Sequence, residues 1–211
     1  MNLGKNILLV DDHLVVRKGV EMIFNANIPN VTVYNAEDYG QALEVLKVVN
    51  IDLILLDINI NGTENIKIMK EIKGIQADAK ILIFSSHEEN QYGLRYIQNG
   101  ADGYLNKFCS EDVILKAVNE IFLKGSYYSK DIKEKLITKG KKRSSKSSID
   151  SLSNREFEIA QLLINGYGNL EISNKLDIQM STVSTYKNRI FEKLNISNIV
   201  ALSDLFKEEN I

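Results

Sequence analysis

The chain has a single cysteine, Cys109, in 211 residues. That excludes an internal disulfide framework and a cysteine-rich zinc site, since both need several thiols. No apolar run approaches the roughly 18 residues of a membrane-spanning helix. The first residues, MNLGKNILLVDDH, hold one lysine and a short apolar run that ends in acid. They lack the basic start, long apolar centre and small-residue cleavage site of a secretory signal. The expectation is a cytoplasmic protein without a membrane partner. Neither sign of charge is in excess: the net charge of −2 leaves nucleic acid open, because a basic patch can sit inside a near-neutral total. There is no internal repeat. Hydrophobic residues at 44% and charged ones at 26% describe an ordinary globular chain, long enough for one large domain or two small ones.

Two blocks differ in pattern. From residue 1 to 128, short apolar runs alternate with longer amphipathic stretches. The runs are 6–12 (NILLVDD), 31–36 (VTVYNA), 52–57 (DLILLD), 80–86 (KILIFSS) and 103–107 (GYLNK). They are rich in Ile, Leu and Val without strict polar alternation, which suits strands buried on both faces of a parallel sheet. In 14–25, Val16, Val20 and Ile23 share a helical face, and further helices are expected over 37–49, 63–73, 88–99 and 110–124. Strand and helix alternate five times, which predicts an α/β domain with a doubly wound, five-stranded parallel sheet. Residues 129–148 read as a linker, with a possible short helix in its first half. Its second half, TKGKKRSSKSS, has five basic residues, four serines and no large apolar residue. That is a tether, either simply solvated or also touching DNA phosphates. The last block, 149–211, has no strand-like run. It reads as a small all-α domain of four helices, 153–165, 169–176, 180–194 and 197–207, with Asn169 as an N-cap and Glu171 in the first turn.

In doubly wound sheets the chemistry lies beyond the carboxyl ends of the strands. Asp11 and Asp12 close the first run and Asp57 closes the third. Neighbouring parallel strands lie about 4.8 Å apart, so a strand order that sets the first beside the third brings the three acids together. Like charges in one crevice repel and raise one another's pKa. Mg²⁺, a hard cation that takes oxygen ligands, would relieve this. Ser85 ends the fourth run and Lys107 follows the fifth, so both open onto the same crevice. A lysine and a hydroxyl beside a carboxylate–Mg²⁺ centre suit a phosphoryl group. Asp57, central and alone, is the expected nucleophile, giving an aspartyl phosphate. Taken singly, each of these residues would pass as a turn, cap or solvated residue; five on four strand ends, facing one edge, make a site.

The motifs LLVDDH, LILLDINI, ILIFSS and GADGYLNK resemble the receiver domain of two-component response regulators, across the whole first block. The resemblance implies a flavodoxin-like fold in which Asp57 takes a phosphoryl group from a sensor histidine kinase. It implies Mg²⁺ held by Asp11, Asp12, Asp57 and the backbone carbonyl of Asn59, with Ser85 and Lys107 on the phosphoryl oxygens. Tyr104 matches the family's aromatic switch residue, which turns inward when Ser85 moves; from the residues alone it is a half-buried packing tyrosine. Asn59 and His87 are expected near the phosphoryl group, where they would tune its lifetime by guiding or blocking water, although His87 reads equally as a loop residue. His13 reads only as the start of the first helix. Where the family commonly has Met-Pro and then Gly, this chain has Ile60-Asn61 and Asn65. The loop after Asp57 is therefore expected to differ in shape, since proline's fixed φ is gone. Phe108 stands where the family often has Pro or Asp, and is expected in a partner or domain interface.

In the last block, Val183, Ile190 and Leu194 share one face of the third helix, with Tyr186 and Lys187 at its margins. Ser181, Ser184, Thr185, Asn188 and Glu192 point away. A face of small polar residues on the second helix of a helix-turn-helix suits a major groove, where such side chains reach base edges or phosphates. Total charge argues the other way: residues 149–211 hold six basic and nine acidic residues, against the usual basic footprint. Four of the six basic residues, however, fall between 175 and 193.

LSNREFEIAQLLINGYGNLEIS and STVSTYKNRIFEKLNI resemble the LuxR-type DNA-binding domain. The resemblance implies that the third helix reads double-stranded promoter DNA, with Ser184, Thr185 and Asn188 at bases and Thr182, Lys187 and Lys193 at phosphates. It implies a dimerising fourth helix. Tyr186 stands where the family often has His, and positions 184 and 185 lack a long basic side chain. Affinity per monomer is thus expected to be modest, with an active homodimer compensating. The two resemblances together imply the NarL/FixJ class of response regulators. Such a protein is a transcriptional regulator and not an enzyme, beyond accepting and hydrolysing its own phosphoryl group at Asp57. On the residues alone two rivals stand. One is a phosphatase using Asp57, opposed by Asn59, because such enzymes commonly carry an acid at that position. The other is an adaptor whose C-terminal helices never touch DNA.

Overall fold

Runs of leucine, isoleucine and valine become the strands of one sheet, and the amphipathic stretches between them become its covering helices. The computed structural model describes residues 4–60, 65–139 and 148–208. Its first part runs β1 (Lys5–Val10), α1 (Leu14–Asn27), β2 (Val31–Ala36), α2 (Tyr39–Val48), β3 (Leu53–Leu56), α3 (Asn65–Ile75), β4 (Lys80–Ser85), α4 (Glu89–Gln98), β5 (Gly103–Asn106), α5 (Glu111–Lys124) and α6 (Lys130–Lys139). A 3-10 turn (Ser148–Ser151) leads into α7 (Asn154–Ile164), α8 (Asn169–Leu176), α9 (Met180–Leu194) and α10 (Ile199–Glu208). Contacts divide the chain into two units, residues 1–141 and 142–211.

The sheet is parallel, in the order β2-β1-β3-β4-β5. In β1, β3 and β4 the last four residues are all buried, as strands covered on both faces require. The edge strand β2 differs. Its residues are mostly half-exposed: it lies at one edge of the sheet and carries Thr32 and Asn35 within it. One face of the sheet packs Leu9, Leu55, Phe84 and Leu105 against Val20 and Phe24 of α1 and Ile114, Ala117 and Val118 of α5.

Register fixes where the strands stop. Val10 pairs with Leu56, Leu56 with Ile83, and Ser85 with Asn106. The Asp57 N–H donates to the Val10 carbonyl at 2.8 Å, and the Lys107 N–H donates to the Ser85 carbonyl at 2.8 Å. The residues just past the strands are therefore still held by the sheet.

Helix α6 packs on α4. Gly93 permits the approach: a Cβ there would lie 3.2 Å from Ile132 Cδ1 and 2.8 Å from Glu89 Cγ. Ile132 is fully buried, and Lys135 donates to the Asn90 carbonyl at 3.2 Å. Residues 140–147, which carry most of the basic run, lie outside the described residues, as do Asn61 and the rest of 61–64, where a reshaped loop is expected.

In the second unit, Phe157, Ile172, Val183, Ile190, Leu194, Leu202 and Phe206 form the core. The Phe157 and Phe206 rings stack 5.5 Å apart and tie α10 to α7. Helix α7 opens with a capping box. Ser153 Oγ accepts from the Glu156 N–H, and Glu156 Oε2 accepts from the Ser153 N–H at 2.7 Å, satisfying two otherwise orphaned donors. The N-cap of α8 is Gly168 and not Asn169. The Gly168 N–H donates to Glu171 Oε2 at 2.7 Å, and Asn169 is the first helical residue, its side chain turned to α9. Among the described residues no helix is long and apolar enough to cross a membrane.

Candidate functional site

The carboxyl edge of the sheet gathers charge around one lysine. Lys107 Nζ lies 2.6 Å from Asp11 Oδ2 and 2.8 Å from Asp57 Oδ2. Both aspartates and Ser85 are buried. Burial raises the Asp57 carboxyl above its ordinary pKa, while Lys107 and the Asn59 N–H, which donates to Asp57 Oδ1 at 3.0 Å, pull the other way. Burial also opposes the charge on Lys107, but Asp11 and Asp57 outweigh it and hold the ammonium above the usual lysine value. The Tyr39 hydroxyl donates to the Asp57 carbonyl at 3.3 Å and steadies the backbone there.

Asp12 sits apart from the lysine. It is exposed, and His13 Nδ1 is 2.7 Å from its Oδ1 and 3.1 Å from Asp11 Oδ1. His13 thus does more than start α1: its ring links the two adjacent carboxylates. Asp11, Asp12, His13 and Asp57 each offer one ligand atom, all within 4.8 Å of one another. Three carboxylates with a single imidazole form an acidic cluster suited to a hard divalent cation. Arg17, also buried, donates to the Asp11 carbonyl and pairs with Glu37 at 2.7 Å. It fixes the backbone below the cluster.

The β4 side carries the rest of the site. Ser85 Oγ accepts from the His87 N–H at 3.1 Å. Tyr104 is not half-buried but fully enclosed. Its hydroxyl donates to the His87 carbonyl at 3.0 Å, and burial holds its phenol far above the ordinary pKa. Asn59 and His87 meet at 3.1 Å, and the His87 ring stacks on Tyr92 at 4.6 Å. These two side chains close one rim of the crevice. Phe108 is 83% exposed, so it is left uncovered among the described residues of its own unit. Cys109 beside it is half-buried. Its N–H donates to the Asn106 carbonyl at 3.1 Å, and burial pushes the thiol's pKa up.

On the second unit, α9 buries Val183, Ile190 and Leu194. Thr185 and Asn188 are exposed or nearly so, and Thr182, Ser184, Tyr186 and Lys187 lie along the margins of the same outer face. Ser181, Thr182, Thr185, Tyr186 and Arg189 line a shallow depression on that face. Arg189 is a cation to which the motifs assign no role. Lys193 is turned away from the depression: its ammonium lies 2.7 Å from Glu156 Oε2, the carboxylate that closes the capping box. Its charge serves the inside of its own domain, which argues against its place among the phosphate-facing residues. The S-x-x-E spacing of Ser153 and Glu156 is a sequence signature of a capping box and is the signal that could have marked that carboxylate as already engaged.

Residues 7–119 match the response regulator receiver domain, and residues 150–206 match the luxR family of bacterial regulatory proteins. The chain belongs to the two-component response regulators, with a receiver domain followed by a DNA-binding LuxR-type helix-turn-helix. It is 33% identical over 202 residues to the fimbriae Z protein of Escherichia coli K12, covering 96% of each chain. It is 32% identical over 199 residues to the response regulator GacA of Pseudomonas aeruginosa, covering 93% of this chain and 92% of that one. Among solved structures, the RcsB response regulator of Salmonella typhimurium shares the fold, with a TM-score of 0.57 and 23% identity over 98% of this chain and 99% of its own.

Proposed function

We propose that this chain is a cytoplasmic transcriptional regulator switched by phosphorylation of Asp57 by a sensor histidine kinase. The observation that carries the reading is the buried Asp57 at the sheet edge, bridged by Lys107 to Asp11. An Asp57 carboxylate oxygen attacks the phosphorus of a phosphohistidine. The P–N bond breaks and its electron pair returns to the imidazole nitrogen. Lys107 and Ser85 then bind phosphoryl oxygens. Asp11, Asp12 and Asp57, with the Asn59 backbone carbonyl, would hold Mg²⁺, which supplies charge neutralisation to the transferring group. Drawing Ser85 toward the phosphoryl group disturbs the His87 segment that Tyr104 holds, so the enclosed tyrosine reports the modification to α4 and β5.

The output is binding of promoter DNA by α9, as a homodimer. Ser184, Thr185 and Asn188 would meet bases, and Thr182, Lys187 and Arg189 would meet phosphates. Another solved structure of RcsB is of a complex with promoter DNA in the presence of a phosphomimetic, and the shared fold supports this reading. Asn59, two residues past Asp57, carries a neutral amide whose N–H is too weakly acidic to protonate a leaving group, which disfavours a phosphatase.

The test is binding of the wild-type chain and of Asp57→Asn to genomic promoter fragments, with and without a small-molecule phosphodonor. Wild-type binding should tighten with donor and Mg²⁺, and chelation should abolish the gain. If Asp57→Asn responds to the donor as the wild type does, the reading fails.

A further inference from the structure

The outer face of α9 presents two neighbouring hydroxyls whose hydrogens the fold has already directed. Ser184 Oγ accepts a hydrogen bond from Asn169 Nδ2, 3.1 Å away at the start of α8. A free serine hydroxyl rotates to suit either a donor or an acceptor and so discriminates little. With one lone pair held by Asn169, the hydroxyl no longer rotates freely: its proton is turned away from α8, beside the one lone pair that remains. Thr185, next along, is set in the opposite sense. Its hydroxyl donates to the Ser181 carbonyl at 2.9 Å, which leaves the oxygen's lone pairs and the methyl group outward.

We propose that Asn169 is a positioning residue for sequence readout: it fixes Ser184 as a hydrogen-bond donor beside Thr185 as an acceptor. The chain then favours a carbonyl-bearing base edge (guanine O6 or thymine O4) opposite Ser184. It favours an amino-bearing edge (adenine N6 or cytosine N4) opposite Thr185, following the donor and acceptor pattern of the major groove. At Ser184 the polarity of the reading helix is set from outside that helix, by α8, and at Thr185 from within it, by the Ser181 carbonyl. This rests on α9 being the DNA-reading helix.

Substituting Asn169 by Asp separates this role from a merely structural one. A carboxylate at this position can only accept, so Ser184 must donate to it and turn its lone pairs outward. An acid in the first turn of α8 is also favoured by the helix dipole, so the fold is retained. The experiment selects bound duplexes from a randomised library with the full-length chain, phosphodonor and Mg²⁺, comparing wild type, N169D, N169A and S184A. The position that Ser184 reads is the one whose preference S184A erases. There the wild type should favour guanine or thymine by about 5-fold, the scale of a single base-edge hydrogen bond. N169A should flatten that preference, and N169D should shift it toward adenine or cytosine. S184A combined with N169D should match S184A alone. An N169D preference identical to that of the wild type overturns the proposal. A wild-type chain that enriches no sequence, with no salt-dependent binding, instead overturns the DNA-reading assignment beneath it.

Discussion

Glu156 is almost wholly buried, and an ionised carboxylate in such a place is costly unless it is paired. Lys193 and the Ser153 N–H provide the pairing. Although burial raises the Glu156 pKa, these partners prevail and hold it below the ordinary value of 4.5. Because the folded pKa is the lower one, the stabilisation is complete above about pH 4.5 and fades as pH falls through the folded value. The Lys193→Ala variant should lose roughly 2 kcal/mol of stability in the DNA-binding unit, since it strands a buried charge. Urea titrations at neutral pH would show this, with Lys193→Arg retaining most of the stability. Glu156→Gln should be less stable than wild type at neutral pH and approach it under acid. The sequence shows that Lys193 is basic and sits at the end of α9, but not which neighbour claims its charge. Asp11, Asp57 and Lys107 meet where their places in the sequence suggest because strand ends in a parallel sheet converge by topology. The link from His13 to Asp11 and Asp12 was not legible, because it depends on the path of one turn.

At the scale of elements, apolar periodicity located the strands and helices from β1 to α5 to within a few residues, whereas α6 was read only as a possible short helix in a linker. Tertiary context decided the rest. Strand β2 at one edge is mostly half-exposed whereas β5 at the other edge is mostly buried, a difference that no run of six residues reveals. Helix α8 is capped one residue earlier than its best capping residue suggests, because Asn169 is engaged by α9 and Glu171 can cap Gly168 from within. Close approach of backbone is equally invisible in sequence. At Gly103 in β5, an added Cβ would lie 2.9 Å from the Tyr127 carbonyl oxygen and 2.9 Å from Leu82 Cδ1. The first of these is backbone, tied to the sheet by the Tyr127 N–H, which donates to the Asp102 carbonyl. Gly103→Ala should therefore destabilise the receiver by about 1–3 kcal/mol through overpacking, read as a lower thermal midpoint for the unit that contains the sheet. By contrast Gly19, with nothing near its Cβ position, should accept alanine without loss and serves as the control.

For the whole molecule, charge predicts how DNA binding responds to salt. The C-terminal block is net acidic, and with Lys193 paired internally two cations of α9, Lys187 and Arg189, remain for phosphates. Each phosphate contact contributes a slope of about −0.9 in log K against log salt, so a dimer with two contacts per subunit should show roughly −3 to −4. Anisotropy titrations over a range of salt concentrations would measure it. A slope steeper than about −7, the scale of some eight contacts, would mean that cations outside α9 take part.

The chain also carries a built-in reporter. Its single thiol, Cys109, lies two residues past Lys107, in the turn that must yield if that lysine is to exchange two carboxylates for a phosphoryl group. Half-buried and with a raised pKa, it should react sluggishly with alkylating reagents at neutral pH. With no second cysteine to confuse the count, the mass gained over time clocks the opening of this one turn. The clock should change rate on adding phosphodonor in the wild type and keep the same rate in Asp57→Asn, without any label having to be engineered in.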